Sequence, residues 1–102
     1  MKPPIPLDPP MTENELKQRV LKLAYENGWA VYHVPQATMR NGGGVGYPDL
    51  TLARDGEVLW IELKREGGNL TREQAVWISI LPAAHVIRPE HWRNGRVAEL
   101  LA

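Results

Sequence analysis

The chain contains no cysteine, which excludes a disulfide framework, a thiolate metal centre and thiol catalysis, and is compatible with a reducing cytoplasm. It has no net charge either, since 12 lysines and arginines balance 12 aspartates and glutamates. Overall basicity therefore says nothing about nucleic acid, and any positive field must be concentrated locally, supplied by a metal or joined across two copies. No apolar run is long enough to span a bilayer. Prolines at Pro3, Pro4, Pro6, Pro9 and Pro10 break the start of the chain where a secretory leader needs an apolar stretch. The expectation is a soluble cytoplasmic protein that makes no membrane contact. His33, His85 and His91 are spaced unlike a zinc signature, and no serine sits in a nucleophile elbow. The glycines between Gly42 and Gly46 lack the Gly-Lys-Ser/Thr ending of a phosphate loop. Covalent catalysis and zinc chemistry are set aside on these grounds.

What is present is organised around residues 46–64, Gly-Tyr-Pro-Asp-Leu-Thr-Leu-Ala-Arg-Asp-Gly-Glu-Val-Leu-Trp-Ile-Glu-Leu-Lys. Two apolar-rich runs flank Asp55-Gly56, a dipeptide whose positions both tolerate positive φ and which favours a two-residue hairpin turn. Such a turn sets Ala53 opposite Val58, Leu52 opposite Leu59, Leu50 opposite Ile61 and Asp49 opposite Glu62. Alternation of side chains then sends Leu50, Leu52, Leu59, Ile61 and Leu63 to one face, and Asp49, Thr51, Trp60, Glu62 and Lys64 to the other. The first face is a core. On the second, two opposed carboxylates repel by some tenths of a kcal/mol (~0.2–1), so they are either well solvated or hold a cation. Lys64 shares their face, and an acid, an acid and a lysine suit a hard divalent ion bound by oxygen ligands beside a fixed positive charge.

The length of 102 residues allows one small domain, read as residues 12–102 behind a flexible proline-rich arm at 1–11. Thr12-Glu13-Asn14-Glu15 is a capping box that opens a helix running to about Asn27, with Leu16, Val20, Leu23 and Ala24 on its buried stripe and Gly28 ending it. Residues 29–34 read as a strand stopped by Pro35. Residues 36–46 form a glycine-rich loop, either a flap that grips a phosphate backbone through Arg40 or flexible padding. After Lys64 comes a turn-rich loop starting at Arg65. Thr71-Arg72-Glu73-Gln74 is a second capping box, opening a helix to about Leu81 with Ala75, Trp77, Ile78 and Leu81 as buried candidates. Residues 85–88 are a short strand, Pro89 opens a helical turn, and residues 96–101 form a short amphipathic helix. This order, α-β-β-β-α-β plus a terminal helix, predicts an α/β (α+β) fold with a mixed sheet flanked by helices.

Gly46-Tyr47-Pro48-Asp49, Glu62-Leu63-Lys64 and Leu70-Thr71-Arg72-Glu73-Gln74 together resemble the signature of the VRR-NUC (virus-type replication-repair nuclease) domain of the PD-(D/E)xK nuclease superfamily, over roughly residues 12–88. The resemblance implies a restriction-endonuclease-like core and a metal-dependent DNA endonuclease for branched or flapped DNA such as a Holliday junction, in a stand-alone, phage-like homodimer. On that reading Asp49, Glu62 and the backbone carbonyl of Leu63 hold Mg2+ or Mn2+, and Lys64 orients the attacking water or stabilises charge on the phosphate. A first-helix glutamate approaches the metal: Glu15 aligns best with it and Glu13 competes, while Glu15 as a capping residue needs no such role. Gln74 lies against the site in the family, and is a cap partner on spacing alone. The candidate DNA contacts are Arg40, His33 and Arg65. The rival reading is a non-catalytic nucleic-acid-binding or assembly module on the same fold. A third is a small α+β interaction protein whose acidic hairpin is incidental.

Overall fold

A computed structural model describes residues 10–34 and 44–102. Most of the expected arm, at 1–9, and the part of the glycine-rich loop that carries Arg40 lie outside the described residues.

Helix α1 (Glu13–Glu26) starts at the expected capping box. The Thr12 hydroxyl accepts the Glu15 N–H at 3.0 Å and Glu15 Oε1 accepts the Thr12 N–H at 3.4 Å, which satisfies two amides that a helix start otherwise leaves unpaired. Its buried residues are Leu16, Val20, Leu21 and Ala24. Leu21 takes the place predicted for Leu23, because α1 is packed by the sheet and also by α3 (Pro89–Arg93) and α4 (Arg96–Leu101). Leu23 is left half-buried at the rim of a shallow cleft beside Trp92. Past the C-cap Asn27, Gly28 adopts φ +83°, a left-handed conformation that lets the chain reverse into the first strand.

Strands β1 (Ala30–His33), β2 (Leu50–Arg54), β3 (Glu57–Leu63) and β4 (Ala84–Ile87) lie in the order β1-β2-β3-β4. The first three are antiparallel in sequence, and β4 runs parallel to β3. A parallel neighbour requires a crossover, here supplied by α2 (Arg72–Ile80). The hairpin has the predicted register, with Leu50 opposite Ile61, Leu52 opposite Leu59 and Ala53 opposite Val58. Asp55 and Gly56 have φ of 50° and 80°, the two positive values that a twist-matched two-residue turn demands. The protein is an α+β fold with a four-stranded mixed sheet flanked by helices.

The core lies on one face of this sheet. Leu50, Leu52, Leu59, Ile61, Leu63 and Ile87 are buried with Leu16, Val20 and Ala24 of α1 and Val97 and Leu101 of α4. The corner where α4 ends is closed by polar bonds: the Trp29 indole N–H donates to Leu101 O at 3.0 Å and Asn27 Nδ2 donates to the same oxygen at 2.9 Å. The Arg54 guanidinium stacks 4.2 Å from the centroid of the Trp29 ring.

Helix α2 differs from its prediction. None of its residues is buried: Ala75 is exposed, Trp77, Ile78 and the following Leu81 are half-buried, and Val76 and Ile80 stand 51% and 63% exposed. Its buried stripe fails to form because α2 covers the polar face of the sheet, where hydrogen bonds replace apolar packing. Among the described residues, no helix is long and apolar enough to cross a membrane.

Candidate metal and phosphate site

The hairpin opens at the ends of β2 and β3, and the candidate site lies there. One residue beyond the Leu50–Ile61 pair, the register brings Asp49 opposite Glu62, on the face away from the core. Alternation from the turn makes the next pair, residue 48 with Leu63, one that should exchange both backbone hydrogen bonds. Pro48 has no N–H to give. The Leu63 N–H instead donates to Asp49 Oδ2 at 2.9 Å, while the Lys64 N–H turns the other way, to Ile87 O at 3.0 Å. The N–H and C=O of one residue in an extended strand point to the same side. The Leu63 carbonyl is therefore directed toward Asp49, and proline at position 48 deprives it of a donor from that strand.

Glu62 is 2% exposed, and no other polar or charged residue is buried among those described. Its Oε1 accepts from Gln74 Nε2 at 3.0 Å and lies 3.8 Å from Lys64 Nζ. Its Oε2 is buried without a partner among the described residues. Burial first, and then the charge of Asp49, push the Glu62 carboxyl up to about 8, against the opposing pull of the Lys64 ammonium. A desolvated carboxylate with an unpaired oxygen next to a second carboxylate needs a proton or a cation. Hard, oxygen-only donors of this kind fit Mg2+ or Mn2+ rather than a soft or imidazole-seeking metal. Among the described residues, no group of three or more His, Cys, Asp or Glu side chains forms a metal cluster; Mg2+ commonly uses one or two carboxylates and takes its remaining ligands from water and phosphate.

Gln74 makes two contacts through a single amide. Its Oε1 accepts the Thr71 N–H at 2.8 Å, closing the cap of α2, while its Nε2 holds Glu62. Glu15 is not brought to the carboxylate pair, since its side chain stays on Thr12 and exposed. Residues two apart on a helix point about 200° away from each other, so a single turn cannot present both glutamates to one cleft. Glu13 is the one that does so: it lines a cleft of about 530 Å³ together with Thr12, Lys64, Arg65 and Asn69. Arg65 lines the same cleft as Lys64.

His33 is not brought to the site either. It pairs with Leu50, which places it on the row of Leu50 and Ile61, the face opposite Asp49. Its neighbour Val34, whose N–H bonds to Asp49 O at 3.3 Å, lies beside Asp49 instead. Two contacts near the site were not foreseen. The Trp60 indole N–H donates to Tyr47 Oη at 2.7 Å, across the hairpin opening. Arg88 Nη2 donates to Gly68 O at 2.9 Å, fixing the loop that walls the cleft. Nothing local could signal either, since their partners are 13 and 20 residues apart.

Comparisons of this chain with protein-family profiles, with functionally characterised proteins and with solved structures give no match.

Proposed function

We propose that this chain is a divalent-metal-dependent nuclease that hydrolyses phosphodiester bonds in DNA, on the restriction-endonuclease-like plan of the VRR-NUC domain that its motifs resemble. The observation that carries this reading is the Asp49–Glu62 pair at the hairpin opening, with Lys64 Nζ 3.8 Å from Glu62 and a buried Glu62 oxygen that has no partner among the described residues. A scattered surface acid pair has neither the burial nor the lysine.

Asp49, Glu62 and the Leu63 carbonyl are the groups that would hold Mg2+ or Mn2+. Such an ion supplies Lewis acidity, making water more acidic and offsetting charge on the phosphoryl group. The chain's own residues do the rest. Gln74 fixes the direction of the Glu62 carboxylate, Asp49 is braced on the Leu63 amide, and Lys64 brings a positive charge to where the phosphate gains negative charge. Arg65 and Glu13 line the neighbouring cleft, through which the strand flanking the scissile phosphate would run. Structured DNA is the substrate class proposed, with a second copy of the chain supplying the second active site for two-strand cutting.

The test is nicking of supercoiled plasmid and of a four-way junction. Cleavage is expected with Mn2+ or Mg2+ and absent with EDTA, and Lys64→Ala should lower its rate by about 10²–10³-fold, the usual loss when a group stabilising transition-state charge is removed. DNA binding without metal-dependent cutting would instead identify a binding module on the same fold.

A further inference from the structure

We propose that helix α2 positions both carboxylates of the site, through Trp77 and Gly46 on one side and Gln74 on the other, so that Trp77 is a positioning residue for Asp49. The value of this arrangement to catalysis rests on the metal-site reading above; the positioning itself does not.

The chain reaches Asp49 through residues 44–48, which lie against the first two turns of α2. Two contacts hold them there, and a third ties them to β3. The Trp77 indole N–H donates to Val45 O at 3.0 Å. The Tyr47 ring meets the Trp77 ring edge-on, centroids 5.0 Å apart at 75°, a favourable aromatic geometry. Tyr47 Oη in turn accepts the Trp60 indole N–H from β3. Gly46, between Val45 and Tyr47, is buried at φ +81°, and a side-chain carbon built on it would lie 2.5 Å from the Glu73 carbonyl carbon and 2.6 Å from the Gln74 amide nitrogen. Only glycine permits both that backbone angle and that approach.

Gly46 therefore touches the backbone of the residue whose side chain holds Glu62. One turn of helix, residues 73–77, fixes the direction of Glu62 through the Gln74 amide and the path into Asp49 through Gly46 and Trp77. Asp49 lies outside β2, where the paired backbone of the hairpin stops at Leu50 and the main chain is bonded to the Val34 N–H at 3.3 Å, so the contacts with α2 add to that support. Since no residue of α2 is buried, these few polar and aromatic contacts, rather than a hydrophobic seam, hold the helix to the site.

The experiment uses the full chain and Trp77→Phe, which keeps an aromatic ring and removes the donor. Amide hydrogen exchange is followed in the metal-free protein at Leu63, whose N–H is held by Asp49 Oδ2, and at Leu52 and Leu59 within the hairpin. Protection of Leu63 is expected to fall about tenfold, the equivalent of one hydrogen bond, with Leu52 and Leu59 unchanged. Gly46→Ala should give a larger fall, and the exposed control Ile80→Ala none. Unchanged Leu63 protection in Trp77→Phe overturns the proposal, and so does an equal loss at Leu63, Leu52 and Leu59, which would make Trp77 merely structural. If Gly46→Ala does not fold, Trp77→Phe decides. A calorimetric Mn2+ titration separates the two readings. Trp77→Phe should weaken Mn2+ binding about tenfold, as loss of an outer support to a metal ligand does. A wild type that binds no Mn2+ sinks the metal site while leaving the amide result to judge the positioning.

Discussion

The two faces of the sheet are held in opposite ways. On one, the side chains of β2, β3 and β4 meet α1 and α4 in a dry layer in which Leu16, Leu50, Leu52, Ile61 and Ile87 are wholly buried. On the other, α2 buries nothing of its own and rests on hydrogen bonds from Gln74 and Trp77. The first face supplies stability and tolerates no loss of volume. The second tolerates a buried carboxyl group, an oxygen without a partner among the described residues and a second carboxylate beside it, which only a stable scaffold beneath them permits. Strand β3 and the residue that follows it serve both at once: Leu59, Ile61 and Leu63 belong to the core, and Glu62 and Lys64 to the site.

The contrast can be broken or sharpened by experiment. The largest effect is expected at the core: Leu50→Ala should cost about 2–5 kcal/mol, read as a shifted midpoint in urea, and a loss below about 1 kcal/mol would mean that the dry layer is not what holds the fold. Next comes the pH dependence of the metal-free protein. Between the ordinary carboxyl value and about 8, folded Glu62 retains a proton that the unfolded chain has released, so the folded state binds more protons and stability falls as pH rises through that interval. The slope should approach about 1.4 kcal/mol per pH unit. His85, whose pKa is lowered by burial and then by the Arg96 charge, contributes the opposite slope, losing stability as pH falls below its ordinary value. The difference between wild type and Glu62→Gln, measured by melting from pH 5 to pH 8, therefore isolates Glu62, and parallel curves for the two proteins would contradict its buried, protonated state.

A smaller effect is expected for Asp49→Asn without metal. Asparagine keeps an acceptor for the Leu63 N–H and removes the repulsion, so stability should stay the same or rise by about 0.5 kcal/mol. Mn2+ should then raise the melting temperature of the wild type more than that of the variant; a large metal-free loss would show that the carboxylate is structural. The smallest effect belongs to the outer side of α2, where Ile80→Ser should change stability by no more than about 0.5 kcal/mol. A loss comparable with that of a core residue would mean that this side is covered in solution.

Local chemistry made much of this legible in advance. Asp55-Gly56 fixed the hairpin and its register, and with it the Asp49–Glu62 pairing and the separation of core from site. The two capping boxes located both long helices, and Pro89 the start of a third. The readings that failed depended on contacts distant in sequence. Whether Leu21 or Leu23 is buried is decided by α3 and α4 closing on α1. Glu15 is the exception, held away by its local capping bond to Thr12, which leaves Glu13 to line the cleft with Lys64 and Arg65. The side chosen by His33 follows from its pairing with Leu50, and the strand boundaries of 29–34 leave that parity open. The buried stripe foreseen for α2 was an honest helical periodicity, but periodicity cannot tell which face of a sheet the helix will meet.

Because Asp49 and Glu62 face the same side only by counting residues from the turn, the two arms of the hairpin can change length only in even steps. A single residue inserted between Asp49 and Asp55, or between Gly56 and Glu62, would rotate one carboxylate into the leucine layer unless a bulge absorbed it. The reversal at Asp55-Gly56, by contrast, is solvent-facing and free to grow. Insertional drift in homologous chains should accordingly gather at that tip and be purged from the arms.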